Sequence, residues 1–254
     1  MNCLVLSGGG MYGAYQAGAW KALSDVFRPD LIVGTSIGAL NGWAIAGGCD
    51  PDELIDRWLN LEPASRYRWK LPNTIFGGVL DSEALQNIVR DIHRSFTPKI
   101  DYALVMTDLL TLRPRIVPGN SVTWRHLVAT GAIVGIFDQV RLDGRLCSDG
   151  GLLAGLPLWA AAELGATKVL AINLLPEAPG FVAKTFSGAA RRISPFRPVV
   201  PSSMEVITVV PPALLGSPTD MLYWNRENAG KWIAQGESDA MQLKHSIANC
   251  FERE

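Results

Sequence analysis

The chain has 254 residues, with 23 Lys plus Arg against 24 Asp plus Glu, a formal net charge of −1, 48% hydrophobic residues and 19% charged ones. Those proportions exclude a disordered or highly charged chain, and the charge balance gives no global attraction to nucleic acid, so any basic surface is local. Four scattered cysteines (Cys3, Cys49, Cys147, Cys250) and three scattered histidines (His93, His126, His245) match neither a disulfide framework nor a metal-ligand spacing. No metal is expected, and a reduced, cytoplasmic compartment is the default.

The chain opens with a predicted strand, Cys3 to Leu6, and a glycine loop from Gly8 to Gly13. A helix follows with Gln16, Trp20, Leu23 and Phe27 near one face, ended by Pro29. The apolar start is too short for a signal sequence and no basic segment precedes it. Leu31 to Val33 reads as a buried parallel strand. The uncharged run Leu31 to Cys49 nearly reaches bilayer length, but its glycines and polar residues fit a strand, turn and helix better than a membrane span. Asp50-Pro51 is an N-cap with proline at the first helical position, and Leu54, Trp58 and Leu61 continue that helix.

A further helix starts at Asp81 or Ser82, with Leu85, Ile88, Val89, Ile92 and Phe96 in helical period. Tyr102 to Met106 is the next buried strand, before a helix over Trp124 to Thr130. Val140 to Leu142 and Leu146 to Ser148 flank Asp143-Gly144, a strong hairpin signal. Pro157 to Leu164 reads as a helix stopped by Gly165, Val169 to Leu174 and Glu205 to Val210 as strands, and the chain turns helical from Ser217. This alternation predicts an α/β fold: three α/β/α layers around a mainly parallel sheet. The expected organisation is one domain over 1–254, its motifs within about 1–175 and the remaining strand and helices completing it.

The chemistry concentrates in three motifs. Gly34-Thr35-Ser36-Ile37-Gly38 is a GxSxG between a predicted strand and a predicted helix, the setting of a nucleophile elbow. Glycines on either side let backbone approach a strained serine, and the helix N-terminus favours developing negative charge. The bland alternative is a glycine-rich turn with an incidental serine. Gly8-Gly9-Gly10-Met11-Tyr12-Gly13 also satisfies GxGxxG, but a dinucleotide site needs an acid at the end of the second strand, whereas Asp30 stands at its beginning. No Lys-Ser or Lys-Thr follows for a P-loop. The same glycines present backbone N–H groups suited to an oxyanion at the shared strand edge.

Ser36 needs a base. The three histidines fall in helical stretches and read as core or surface residues. The remaining candidate is Asp149, which with Gly150 and Gly151 follows the hairpin's second strand. An ordinary Asx-turn is the competing explanation. An unperturbed aspartate is mismatched to neutrality by about 4 kcal/mol, which desolvation would reduce.

In this order and at these distances, GGGMYG, GTSIG and DGG resemble the patatin-like phospholipase family. The similarity extends through Gly34 to Ala46, Ala129 to Phe137 and Asp149 to Leu175. It implies a three-layer fold and a Ser-Asp dyad without catalytic histidine: Ser36 as nucleophile, Asp149 as base, and Gly8, Gly9, Gly10 and Gly13 as the oxyanion loop. Thr35 and Ile37 complete the elbow. Tyr12 stands where many relatives carry Lys or Arg, Gly155 where they often have Asn, and Thr130 where they often have Ser. These departures weaken phospholipid, though not ester, as the expected substrate.

The expected function is therefore a serine acyl hydrolase of lipid esters, of phospholipase A, lysophospholipase or carboxylesterase type, with no cofactor. The alternative is a catalytically silent lipid-binding or regulatory protein of the same fold. Two basic-aromatic stretches, Arg66-Tyr67-Arg68-Trp69-Lys70 and the region of Phe181, Phe186 and Phe196, are candidates for transient contact with an anionic membrane surface. Ordinary loops with inward aromatics are the alternative there, and no nucleic-acid partner is expected.

Overall fold

A computed structural model describes residues 1–61, 67–72, 74, 76–175 and 188–251. The parallel part of its sheet is built from β1 (Asn2–Leu6), β2 (Leu31–Thr35), β3 (Asp101–Asp108), β7 (Lys168–Ile172) and β8 (Glu205–Val209). β4 (Arg113–Pro118), β5 (Val140–Leu142) and β6 (Arg145–Asp149) are antiparallel additions. The order is β5-β6-β3-β2-β1-β7-β8, with β4 also on β3.

The central strands are apolar along most of their length because both faces are covered. In β1, Leu4 and Leu6 enter the larger core, while Cys3 and Val5 enter the smaller one on the other face. The larger layer contains α1 (Gly13–Leu23), α2 (Ile37–Ala46), α3 (Pro51–Leu59), α4 (Glu83–Ser95) and the long C-terminal helix Arg226–Phe251. The smaller core includes Trp159, Ala160 and Ala161 of α6 (Leu158–Glu163), with Phe196 edge-on to Trp159 at 4.7 Å. The three layers and mainly parallel sheet agree with expectation.

Several boundaries differ from it. The glycine loop itself contains a 3-10 turn over Gly10–Tyr12, and α1 ends at Leu23. Phe27 lies beyond the helix, buried against Phe251 with ring centroids 4.6 Å apart. α1 is buried on nearly every side, Lys21 excepted, so its apolar pattern is not a stripe. β4 is absent from the expected elements. Its Arg113, Pro114, Arg115 and Pro118 do not resemble a buried strand, but a strand with only one neighbour tolerates proline. The Asp143-Gly144 hairpin forms as expected, with both residues at positive φ (50° and 73°).

One register relation sets up the site. Ala103, Leu104 and Val105 pair with both β2 and β4, and Met106, Thr107 and Asp108 pair with both β4 and β6. A strand has two edges, so β2 and β6 share one edge of β3. They meet there end to end, Thr35 opposite Val105 and Asp149 opposite Met106.

The C-terminal helix closes the larger layer by lying almost backbone to backbone on α1. A Cβ on Gly18 would sit 2.0 Å from the Ile233 carbonyl oxygen, and one on Gly236 2.1 Å from that of Tyr15. Gly236→Val should force the helices apart and lower the unfolding free energy by about 1–3 kcal/mol. The expected readout is a lower urea midpoint with an unchanged slope.

Candidate active site

Ser36 lies between β2 and α2 with φ 54° and ψ −127°, a left-handed conformation in a residue with a side chain. The turn closes only because its flanking residues lack side chains. A Cβ on Gly34 would approach the Gly38 carbonyl oxygen to 2.4 Å, and one on Gly38 would reach the Leu6 carbonyl oxygen at the same distance. The Ser36 N–H donates to Thr130 Oγ1 at 2.9 Å, and that hydroxyl donates onward to the Val105 carbonyl at 2.6 Å. Thr130 ends α5 (Trp124–Thr130), so this helix and β3 together hold the serine backbone.

Asp149 ends β6 and begins the turn Gly150–Leu152, where its Oδ1 accepts the Gly151 N–H at 2.6 Å. Gly150 has the carbonyl of Val105 and the methyl of Thr35 against it; a Cβ there would lie 2.4 Å and 3.1 Å from them. The end-to-end meeting of β2 and β6 therefore puts the Asp149 carboxylate beside the Ser36 hydroxyl. Burial raises the Asp149 pKa to about 6, offset in part by the Ser36 hydroxyl and the Gly151 N–H, which favour the ionised form. A hydroxyl beside a buried carboxylate of raised proton affinity can pass that carboxylate its proton.

The glycine loop also reaches this point: a Cβ on Gly8 would lie 3.2 Å from the Ser36 Cβ. The loop residues are not equivalent. Gly8 N–H donates to the Gly155 carbonyl at 3.0 Å. Gly9 and Gly10 N–H make no hydrogen bond to another described residue. Gly13 starts α1, and its missing Cβ leaves room for Ile37 and Trp58. Gly10 is covered by the short helix Pro218–Leu222, where a Cβ would lie 2.2 Å from the Met221 carbonyl oxygen. Tyr12 is fully buried and donates to the Ser217 carbonyl at 2.7 Å, so position 12 serves the packing under that helix.

A buried polar chain braces the loop. Gln16 Nε2 donates to the Ser7 carbonyl at 2.9 Å, and Asn41 Nδ2 donates to Gln16 Oε1 at 2.9 Å and to the Gly13 carbonyl at 3.0 Å. Trp58 Nε1 completes the chain by donating to Asn41 Oδ1 at 3.1 Å. Motif reasoning does not single out Gln16, Asn41 or Trp58 as functional. The available signal is one amide in each of two helices that are otherwise apolar but for Lys21, and such amides must find partners when buried.

The histidines lie elsewhere. His126 Nδ1 meets Thr123, His93 stacks on Trp43 at 5.2 Å, and His245 is exposed on the C-terminal helix. Asp30 Oδ2 accepts the Asn2 N–H at 2.8 Å, at the sheet end opposite the glycine loop. In the basic-aromatic stretches, Arg66, Phe181 and Phe186 fall outside the described residues. Tyr67 packs against Phe137 and Tyr223, Lys70 pairs with Asp138, and Trp69 is 74% exposed. Among the described residues no cluster of three or more His, Cys, Asp or Glu could hold a metal ion, and no helix is long and apolar enough to cross a membrane.

A family model described as patatin-like phospholipase matches residues 4–162. Patatin-like phospholipase domain-containing protein 6 of Mus musculus is 30% identical over 188 residues, covering 67% of this chain and 13% of that protein. Lysophospholipase nte1 of Aspergillus terreus is 26% identical over 209 residues, 77% of this chain and 14% of its own length. An uncharacterized NTE family protein of Mycobacterium bovis is 31% identical over 181 residues, 67% of this chain and 48% of its own. The chain thus spans about one-seventh of the first two relatives. Among solved structures, VipD from Legionella pneumophila is similar in fold, with a TM-score of 0.50 and 15% identity over 97% of this chain and 67% of VipD.

Thr130→Val leaves the buried Ser36 N–H without its acceptor and should cost about 1–3 kcal/mol in chemical denaturation, whereas Thr130→Ser should recover most of it. Because the folded pKa of Asp149 lies above the usual carboxylate value, its ionised form works against folding, and stability falls as pH rises from about 4 through about 6. The unfolding free energy of Asp149→Asn relative to the native chain should therefore grow by about 3 kcal/mol between about pH 4 and pH 7.

Proposed function

The chain belongs to the patatin-like phospholipase family, and from that premise we propose that it is a serine acyl hydrolase of lipid esters working through Ser36 and Asp149. The observation carrying this reading is the strained Ser36 beside a buried Asp149 whose pKa is raised to about 6. At neutral pH that pKa reduces the mismatch of an aspartate base from about 4 to about 1 kcal/mol.

In the proposed reaction, Ser36 Oγ attacks the ester carbonyl carbon as its proton moves to Asp149. The negative charge gathers on the carbonyl oxygen, where the N–H groups of Gly9 and Gly10 and the N-terminus of α2 favour it. Collapse of the tetrahedral intermediate breaks the ester C–O bond, and Asp149 returns the proton to the departing alkoxide. Water then attacks the acyl-serine while Asp149 takes its proton, and a second collapse frees the acid and restores Ser36 with that proton. The Gly8 N–H, committed to Gly155, holds the loop rather than the oxyanion. A lipid surface has a local contact in Trp69 and Leu71, which are 74% and 87% exposed beside Arg68.

Active-site labelling with a fluorophosphonate checks the nucleophile: the native chain should label and Ser36→Ala should not. Label retained in Ser36→Ala refutes the assignment. Asp149→Asn should lose about 10²–10⁴-fold in kcat/KM. Because the base acts deprotonated, kcat/KM of the native chain should rise with pH about a midpoint near 6.

A further inference from the structure

Beside the Ser36 turn, a cavity of about 560 Å³ lies among α2, α3 and α4. Met11 and Ile37, the residues directly after Gly10 and Ser36, form the part of its lining nearest that turn in the chain. From there Leu40 and Ala44 continue along α2, spaced three and seven residues from Ile37 so that all three share one helix face. Trp58 of α3 and Ile88 of α4 stand across from them.

The charges around this cavity discriminate between possible occupants. Among the described lining residues, Glu53, Asp56 and Asp91 contribute three carboxylates, against the single cation of Arg57. That guanidinium is already committed, with Nε 3.0 Å from Glu53 and Nη1 3.0 Å from Asp91, while it lies over the Phe96 ring at 4.8 Å. Among the described residues, a phosphate or other anionic head group would meet net negative charge and no available cation. A hydrocarbon chain would meet apolar walls and lose nothing at the rim.

We propose that this cavity receives the acyl chain of the substrate, carbonyl toward Ser36 and methyl end toward the Glu53–Arg57–Asp91 ion cluster, and that the cluster limits the chain length accommodated. The assignment rests on the acyl-hydrolase reading above and adds the part of the substrate bound and its size. From Ile37 to Ala44 the α2 face runs about 10 Å at 1.5 Å per residue, room for about eight carbons. The leaving alcohol or head group then lies on the other side of Ser36, outside this cavity.

A series of p-nitrophenyl esters tests the proposal. For the native chain kcat/KM should climb at least about tenfold from butyrate to octanoate, each fully buried methylene being worth up to about fourfold, and then level off toward palmitate. Ala44→Phe fills the cavity floor and should lower the octanoate-to-acetate ratio of kcat/KM about tenfold; Ile88→Trp, at the half-exposed wall, should lower it in the same direction if Ala44→Phe does not fold. An unchanged ratio in the folded variants overturns the proposal. Hydrolysis of no ester by the native chain would defeat the acyl-hydrolase reading instead. The cavity is then judged by calorimetric titration of octanoate into Ser36→Ala, where binding weakened about tenfold by adding Ala44→Phe supports it and absence of binding overturns it.

Discussion

The site depends on two strands of opposite direction sharing one edge of a third. β2 and β6 both pair with β3 on the side away from β4, and each ends where the other does. The parallel strand carries Ser36 just past its C-terminal end, and the antiparallel neighbour brings Asp149 at its own C-terminal end from the opposite direction. Ser36 and Asp149, 113 positions apart in the chain, are thereby adjacent without a long loop to span the gap. Backbone hydrogen bonds along β3 define that separation more tightly than mobile loops could.

The meeting point is crowded, and crowding explains its composition. Gly34, Gly38 and Gly150 each lie where a single methyl group would strike a carbonyl oxygen. The polar groups are matched with similar economy: Thr130 takes the serine N–H, Gly155 takes the Gly8 N–H, and Gln16, Asn41 and Trp58 form a satisfied chain beneath the loop. Thr35 Oγ1, buried without a hydrogen-bond partner among the described residues, and the buried Asp149 carboxylate stand apart from that matching. Asp149 gains a raised proton affinity because the desolvation it suffers is only partly offset by Ser36 and Gly151.

Much of this is legible in the order of residues. β1, β2, β3 and β7 each contain an apolar run because sheet strands covered on both faces have no solvent side, and Asp143-Gly144 marks its hairpin through the positive φ of both residues. The three glycine-bearing motifs lie together in the structure, as the family resemblance implies. β4 is illegible because an edge strand escapes the rules on which strand recognition rests. Thr130 stands 94 residues from Ser36, and no local pattern records an acceptor that distant. The exchange of roles inside the glycine loop is equally hidden: whether Gly8 or Gly9 offers a spare N–H depends on where the Gly155 carbonyl comes to rest.

The covering of Gly10 by Met221 and the seating of Gly236 on Tyr15 mean that the last quarter of the chain roofs what the first twenty residues make. During synthesis β1 precedes the other strands of this sheet but waits about 160 residues for β7, its second neighbour, and longer still for the helix over α1. A chain whose earliest strand is completed so late has high contact order and should assemble slowly. The hazard in such an order is an exposed apolar β1 edge. Its benefit is that Ser36 and the glycine loop acquire their final shape only once the helix over α1 has been made.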